Sequence, residues 1–241
     1  MRRLRQVHRS LKAMRNQMTA CRLSAFLVGC LAPLIAACMS YKPALSLEKS
    51  PHTIPASVAV LTLRDASPPD DKEDLAEGTV SQTKSLEGAL ATMVTQAIIA
   101  DFSATGVFRS IRAGRASQKD GDHPDLILSG TIHRFYGQAT IPSWLMIPGV
   151  GWAVNAFASP AQEWQGAVDL ELTVTRPDGQ VIGSYRGHAT YQEIAEHDSR
   201  YWSAPLYPAH ARLNQAFTEA VQQIRDQILR DRDRLLTAIG E

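Results

Sequence analysis

Residues 167–175 read Ala-Val-Asp-Leu-Glu-Leu-Thr-Val-Thr, an alternation without a break. Val168, Leu170, Leu172 and Val174 fall on one side of a pleat, and Asp169, Glu171, Thr173 and Thr175 on the other. A period of two is the pattern of a strand with one buried and one wet face. Arg176-Pro-Asp-Gly179 then supplies turn residues, and Gln180 to Tyr191 returns as the partner strand. The pair predicts an antiparallel hairpin whose apolar side needs a covering layer.

That layer is written on either side of the hairpin. Upstream, Leu86, Leu90, Met93, Val94, Ala97, Ile98 and Phe102 recur at steps of three and four, with Ser85 as candidate cap and Gly106 placed to end the helix. Downstream, a helix from about Ala209 turns Leu213, Phe217, Val221, Ile224 and Ile228 inward. Its end, Arg230-Asp-Arg-Asp-Arg234, reads as a solvated face. Ser57–Leu63, Val107–Ile111 and Asp125–Tyr136 read as further strands. Strand, helix, three or four strands, helix predicts a two-layer α+β domain over residues 57–241. Its sheet is largely antiparallel, with two long helices on one face.

Two connecting segments stand out. Pro68-Pro-Asp-Asp-Lys-Glu-Asp74 is acidic but lacks the alternation and central glycine of a calcium loop, so it reads as a solvated loop. From Phe135 to Gln162 there is no Asp, Glu, Lys or Arg, and Trp144, Leu145, Met146, Trp152 and Phe157 are concentrated there. Pro142, Pro148, Gly149 and Gly151 interrupt the segment too often for a spanning helix. Two readings stay open: a loop folded over a sheet edge within its own domain, or an exposed apolar patch for a partner or the membrane interface.

The N-terminus differs from the rest in charge. Residues 1–37 carry seven Lys or Arg and no acid, and an uncharged run from Leu23 ends in Ala36-Ala37 before Cys38. Basic, apolar and small-residue portions in that order predict a secretory signal, with Met14 and Met18 as alternative starts. The apolar run is shorter than a membrane span and contains Pro33. Without residues 1–37 the chain has 18 basic and 24 acidic residues, a net −6. An acidic body of this kind gives no electrostatic reason to bind nucleic acid. Tyr41–Ala56, with Pro43, Pro51 and Pro55, reads as a tether.

Ile35-Ala36-Ala37-Cys38 resembles the lipobox of bacterial lipoproteins. The resemblance implies cleavage before Cys38, a diacylglyceryl group on its thiol and acylation of the new amine. Met39 after the cysteine, rather than Asp, implies sorting to the inner leaflet of the outer membrane, facing the periplasm. Leu27-Val28-Gly29-Cys30 fits the same pattern behind a shorter apolar run, and an ordinary buried Cys38 is the plain alternative. A disulfide is disfavoured, because Cys21, Cys30 and Cys38 are the only cysteines and cleavage leaves Cys38 alone. In element order, residues 57–191 resemble small envelope lipoproteins with a fold like the N-terminal domain of TolB, including those of curli secretion and exopolysaccharide export. The resemblance implies a non-enzymatic assembly or export component, often ring-forming.

Catalytic patterns are weak throughout. Gly183-Ser-Tyr-Arg-Gly187 has its serine out of place for a nucleophile elbow, and Gly149-Val-Gly151 lacks the third glycine of a dinucleotide fingerprint. Glu196-His-Asp-Ser199 gathers acid, base and hydroxyl, but sequence neighbours in a loop seldom converge on one centre. His133 and His188 read as surface histidines on strands, and no zinc spacing occurs. The sequence therefore predicts no catalytic residue, metal or cofactor. It predicts a lipid-anchored component of envelope assembly, export or secretion that contacts a second copy or another envelope protein. The alternative is a periplasmic module that binds a lipid or other hydrophobic ligand.

Overall fold

The computed structural model describes residues 41–71, 79–81, 83–86, 88–114, 123–140, 161–196 and 207–240. Among them the chain runs β1 (Ile54–Val60), β2 (Arg64–Asp65), β3 (Thr79–Ser81), α1 (Leu90–Thr105) and β4 (Phe108–Ala113). It continues through β5 (Leu126–Thr140), β6 (Ala161–Thr175), β7 (Val181–Glu196), α2 (Tyr207–Arg230) and α3 (Arg232–Gly240). The strands form one sheet in the order β4-β1-β5-β6-β7, with β2 and β3 paired to β5. Long antiparallel ladders join β5, β6 and β7. The other half is parallel, because β1 aligns with both β4 and β5. This is the expected α+β architecture with a mixed sheet, and α1 carries the chain across between parallel β1 and β4.

The alternation in β6 does what its period requires. Val168, Leu170, Leu172 and Val174 are buried, beside Leu128, Ile132 and Phe135 of β5. Leu213, Phe217, Val221, Ile224 and Ile228 of α2 and Val94, Ile98 and Phe102 of α1 join the same core. The Phe135 and Phe217 rings meet edge to face at 5.2 Å, a geometry favoured by the ring quadrupoles.

Two features fix α2 on the sheet. A Cβ at Gly187 would run into the carbonyl of Ala220, so glycine is what lets the helix backbone rest on β7. Beside that contact, Gln223 and Gln227 bracket the edge of β7. The Gln223 amide accepts from His188 N–H (3.0 Å) and donates to His188 O (2.9 Å). The Gln227 amide does the same for Arg186, at 3.4 and 2.7 Å. Four helical residues rise about 6 Å and two strand residues about 6.7 Å, so the two spacings nearly match. The side chains act as a short extra strand and shield part of an edge.

Several boundaries differ from expectation. α1 begins at Leu90, after a 3-10 turn at Lys84–Leu86, and its N-cap Ala89 makes no side-chain capping bond. Gly88, at φ 76°, turns the chain between the two, so the helix starts later than the apolar spacing suggested. The other end is as expected: Gly106 is left-handed at φ 72° and its N–H returns to Phe102 O. Strands β5, β6 and β7 run on past 136, before 167 and past 191. There the apolar alternation stops, and the extension is held by its ladder, a Gln165–Gln138 side-chain bond and a small cluster of Ala139, Trp164 and Tyr191.

The acidic loop is not wholly solvated. Asp71 is 5 % exposed and accepts two bonds from Arg134, Nε at 3.1 Å and Nη2 at 2.9 Å. The segment expected to be a tether also differs. Tyr41 is 2 % exposed and part of the core, and from Ile54 the chain is already β1.

Candidate functional site

Residues 41–50 form an extended strap between α1 and α2. The Tyr41 hydroxyl donates to Asn214 Oδ1 at 2.7 Å, and Ala44 N–H reaches the same oxygen at 3.0 Å. The Tyr41 ring packs 6.3 Å from Phe135 and 5.3 Å from His210, and burial pushes its phenol well above the ordinary range. Further along, Leu47 N–H donates to Asp101 Oδ1 at 3.2 Å, Arg225 Nη1 donates to Glu48 O, and Ser50 N–H donates to Thr105 O at 2.8 Å. Both helices therefore hold the strap by its backbone.

The strap does not fill the space it crosses. On the α1 side a groove of about 470 Å³ is lined by Leu45, Met93, Ala97, Ala100 and Ala104, with Asp101 in its wall. On the α2 side a second groove of about 360 Å³ is lined by Ala44, Ala211, Asn214 and Thr218. Alanines at three- and four-residue steps on α1 give the larger groove its width. Its volume falls in the range of small-molecule sites, which combine an apolar lining with a few polar groups.

Asp101 is the acidic group of that wall, which also carries Lys42 and Gln96. Its Oδ2 is buried with no hydrogen-bond partner among the described residues. Burial raises the carboxyl above its usual range, partly opposed by Leu47 N–H and the nearby Arg225 charge. Arg225 is itself 5 % exposed. A carboxyl in this state can meet a ligand's donor when ionised, or donate its own proton when neutral.

The wet face of the sheet carries the other cluster of titratable groups. Glu171 accepts Ser184 Oγ–H at 2.7 Å through one oxygen and lies 2.9 Å from His133 Nε2 through the other. Asp169 takes two bonds from Arg186, at 2.8 and 2.6 Å. The Ser184 and His133 bonds hold the Glu171 carboxyl below its usual range, and the Arg186 bonds hold down that of Asp169. In this arrangement a carboxylate stands between the hydroxyl and the imidazole. Ser184 donates its hydrogen bond to the carboxylate rather than to the imidazole, so the constellation is unlike a nucleophilic triad, where the imidazole takes the hydroxyl proton. Its chemistry is charge pairing.

Comparison with known proteins adds little. No family model matches the chain, and no curated protein matches it in sequence. Among solved structures it is similar to a Xanthomonas campestris protein of family-model DUF330, at 12 % identity and TM-score 0.43, covering 83 % of this chain and 99 % of that one. It is also similar to a point variant of PelC, a dodecamer from Paraburkholderia phytofirmans, at 13 % identity and TM-score 0.36, covering 76 % and 93 %. A Caulobacter crescentus protein described provisionally as a lipoprotein matches at 12 % and 0.30, covering 73 % and 92 %. At these scores the likenesses are too loose to assign a role.

The residues singled out in the sequence fall unevenly. Cys38, Trp144, Leu145, Met146, Trp152, Phe157 and His197–Ser199 lie outside the described residues. His133 is paired as stated, and His188 lies on the wet face near Asp169. Among the described residues no helix is long and apolar enough to cross a membrane, and no group of three or more His, Cys, Asp or Glu is placed to hold a metal ion. Tyr41, Asp101, Asn214 and Arg225, which seat the strap, were not singled out by sequence reasoning. For Tyr41 a signal existed: in Tyr41-Lys-Pro-Ala-Leu-Ser-Leu-Glu48 the larger apolar residues sit at every second position through Leu47.

Proposed function

We propose that this chain is an envelope lipoprotein, held in the inner leaflet of the outer membrane by acylated Cys38 and facing the periplasm. Its domain binds a hydrophobic ligand and catalyses no reaction. The anchor is supported by the basic, apolar and small-residue order that ends in Ile35-Ala36-Ala37-Cys38. The observation that carries the binding role is the groove between the strap and α1. Small apolar side chains line most of it, and one raised carboxyl, Asp101, stands in the wall. A molecule with an apolar body and one hydrogen-bonding head, such as a fatty acyl chain, fits that chemistry. Service as an assembly or export component is the competing role.

Titrating the mature chain with a fluorescent fatty acid separates the two. Ala100 lines the groove and its side chain is exposed. Ala100→Phe should therefore weaken binding roughly tenfold, about 1.4 kcal/mol, while leaving the unfolding midpoint unchanged. No binding by the wild type, or equal binding by the variant, would remove the groove as the ligand site.

A further inference from the structure

Resting on the reading that Cys38 carries the lipid, we infer that the domain has no spacer from the membrane. The end of the sheet formed by Thr140, Glu163 and Ile194 lies against zwitterionic phospholipid headgroups. The fixed point is Tyr41, buried and bonded to Asn214. It stands three positions after Cys38, and a fully extended chain of that length spans at most about 11 Å. A free tether from Cys38 to Ala56 would reach about 60 Å on the same rule.

The sheet extends further than the anchor allows. Tyr41 packs on Phe135, which pairs with Val168. From Val168 back to Ala161 the strand covers about 23 Å, twice the reach from Tyr41 to Cys38. One leaflet's polar zone is only about 5–8 Å deep. β6 runs about as far the other way, to Thr175, so the strap decides which end faces the headgroups. From Glu48, held by Arg225, it runs back along α2 to Ala44 and Tyr41, held by Asn214, and so leads toward the start of α2, where Arg212 meets Glu193. Thr140 pairs with Glu163, and Glu163 with Ile194, so all three belong to this end.

The chemistry of that end selects the headgroup. Ile194 is 73 % exposed; the other large hydrophobic residue exposed among the described ones, Val181, sits at the opposite end of β7. Glu193 is neutralised by Arg212 at 2.7 Å, and Glu163 accepts the Gln192 amide at 2.7 Å. With no surplus of cations among the described residues of this end, the surface suits zwitterionic rather than anionic lipid.

The test uses the acylated mature chain in phosphatidylcholine vesicles that carry a headgroup energy acceptor. Processing removes Cys21 and Cys30 and lipidation blocks Cys38, so Ile194→Cys or Asp178→Cys creates the single labelling site. Position 194 should transfer strongly and position 178, in the far turn, weakly. Inserting about ten Gly/Ser residues between Ser40 and Tyr41, a coil of roughly 16–19 Å, should lower transfer at 194 several-fold. Palmitate incorporation, measured separately, should not change. Equal transfer from both positions, or no response to the insertion, would overturn the inference with the lipid still attached. Absence of palmitate from the wild type would instead overturn the anchor itself.

Discussion

Tyr41→Ala is expected to destabilise the domain by about 3–5 kcal/mol, the range for truncating a fully buried aromatic ring. That is a large fraction of the roughly 5–15 kcal/mol typical of a whole domain. The ring is 2 % exposed against Phe135 and His210, and its hydroxyl is bonded to Asn214. Tyr41→Phe should cost only about 1 kcal/mol, because it removes one neutral hydrogen bond and keeps the ring. Urea unfolding of both variants gives the comparison. The Leu47 amide, which donates to Asp101 in the seated strap, should also exchange with solvent much faster in Tyr41→Ala than in the wild type. A Tyr41→Ala protein within about 1 kcal/mol of the wild type, the size of a single hydrogen bond, would mean that the strap contributes little and behaves as the free tether that the prolines suggest.

Gly187→Val should cost about 3 kcal/mol, the upper end for forcing extra volume into a packed site. The added carbons would occupy the position of the Ala220 carbonyl. No rotamer change relieves this, since the obstacle is helix backbone. α2 would have to lift off β7, loosening the Gln223 and Gln227 bonds to that edge. A calorimetric midpoint close to that of the wild type would show that α2 is not seated as described. Gln223→Ala, which removes two exposed bonds, should cost much less and serves as the control.

Much of the fold was legible because a single period governed each element. Val168 to Val174 alternate strictly, and Leu213 to Ile228 keep helical spacing, so type and inward face followed from sequence. Legibility stopped where another interaction took over. β6 starts at Ala161 rather than Ala167 because the ladder to β5 continues where apolar alternation does not. The pattern of α1 suggested a start near Ser85, but the left-handed conformation at Gly88 sets it at Leu90. The parallel pairing of β1 was hidden because a short apolar run does not state its direction.

The candidate site was less visible. The strap alternates like a strand but has helices, not strands, on both sides, and Pro43 made it resemble a linker. Asp101 is a lone acid on an otherwise uncharged helix, and only the fold shows that one of its oxygens is buried. Asp71 misled in the opposite direction. It lies in a run of acids that reads as solvated, yet it is buried and paired with Arg134, a partner 63 residues away in the chain. No local pattern encodes a contact of that range.

Intact-mass analysis of the chain recovered from membranes, with sequencing of its N-terminal peptide, tests the lipoprotein reading most directly. The expected product begins at Cys38 and carries a diacylglyceryl group on the thiol and an acyl group on the amine. It should appear in the outer-membrane fraction and take up labelled palmitate. A start at Cys30 would lengthen the spacer to Tyr41 and remove the basis for a domain held against the membrane. A mature chain that begins anywhere other than Cys38, or one whose Cys38 thiol is free, would contradict the reading.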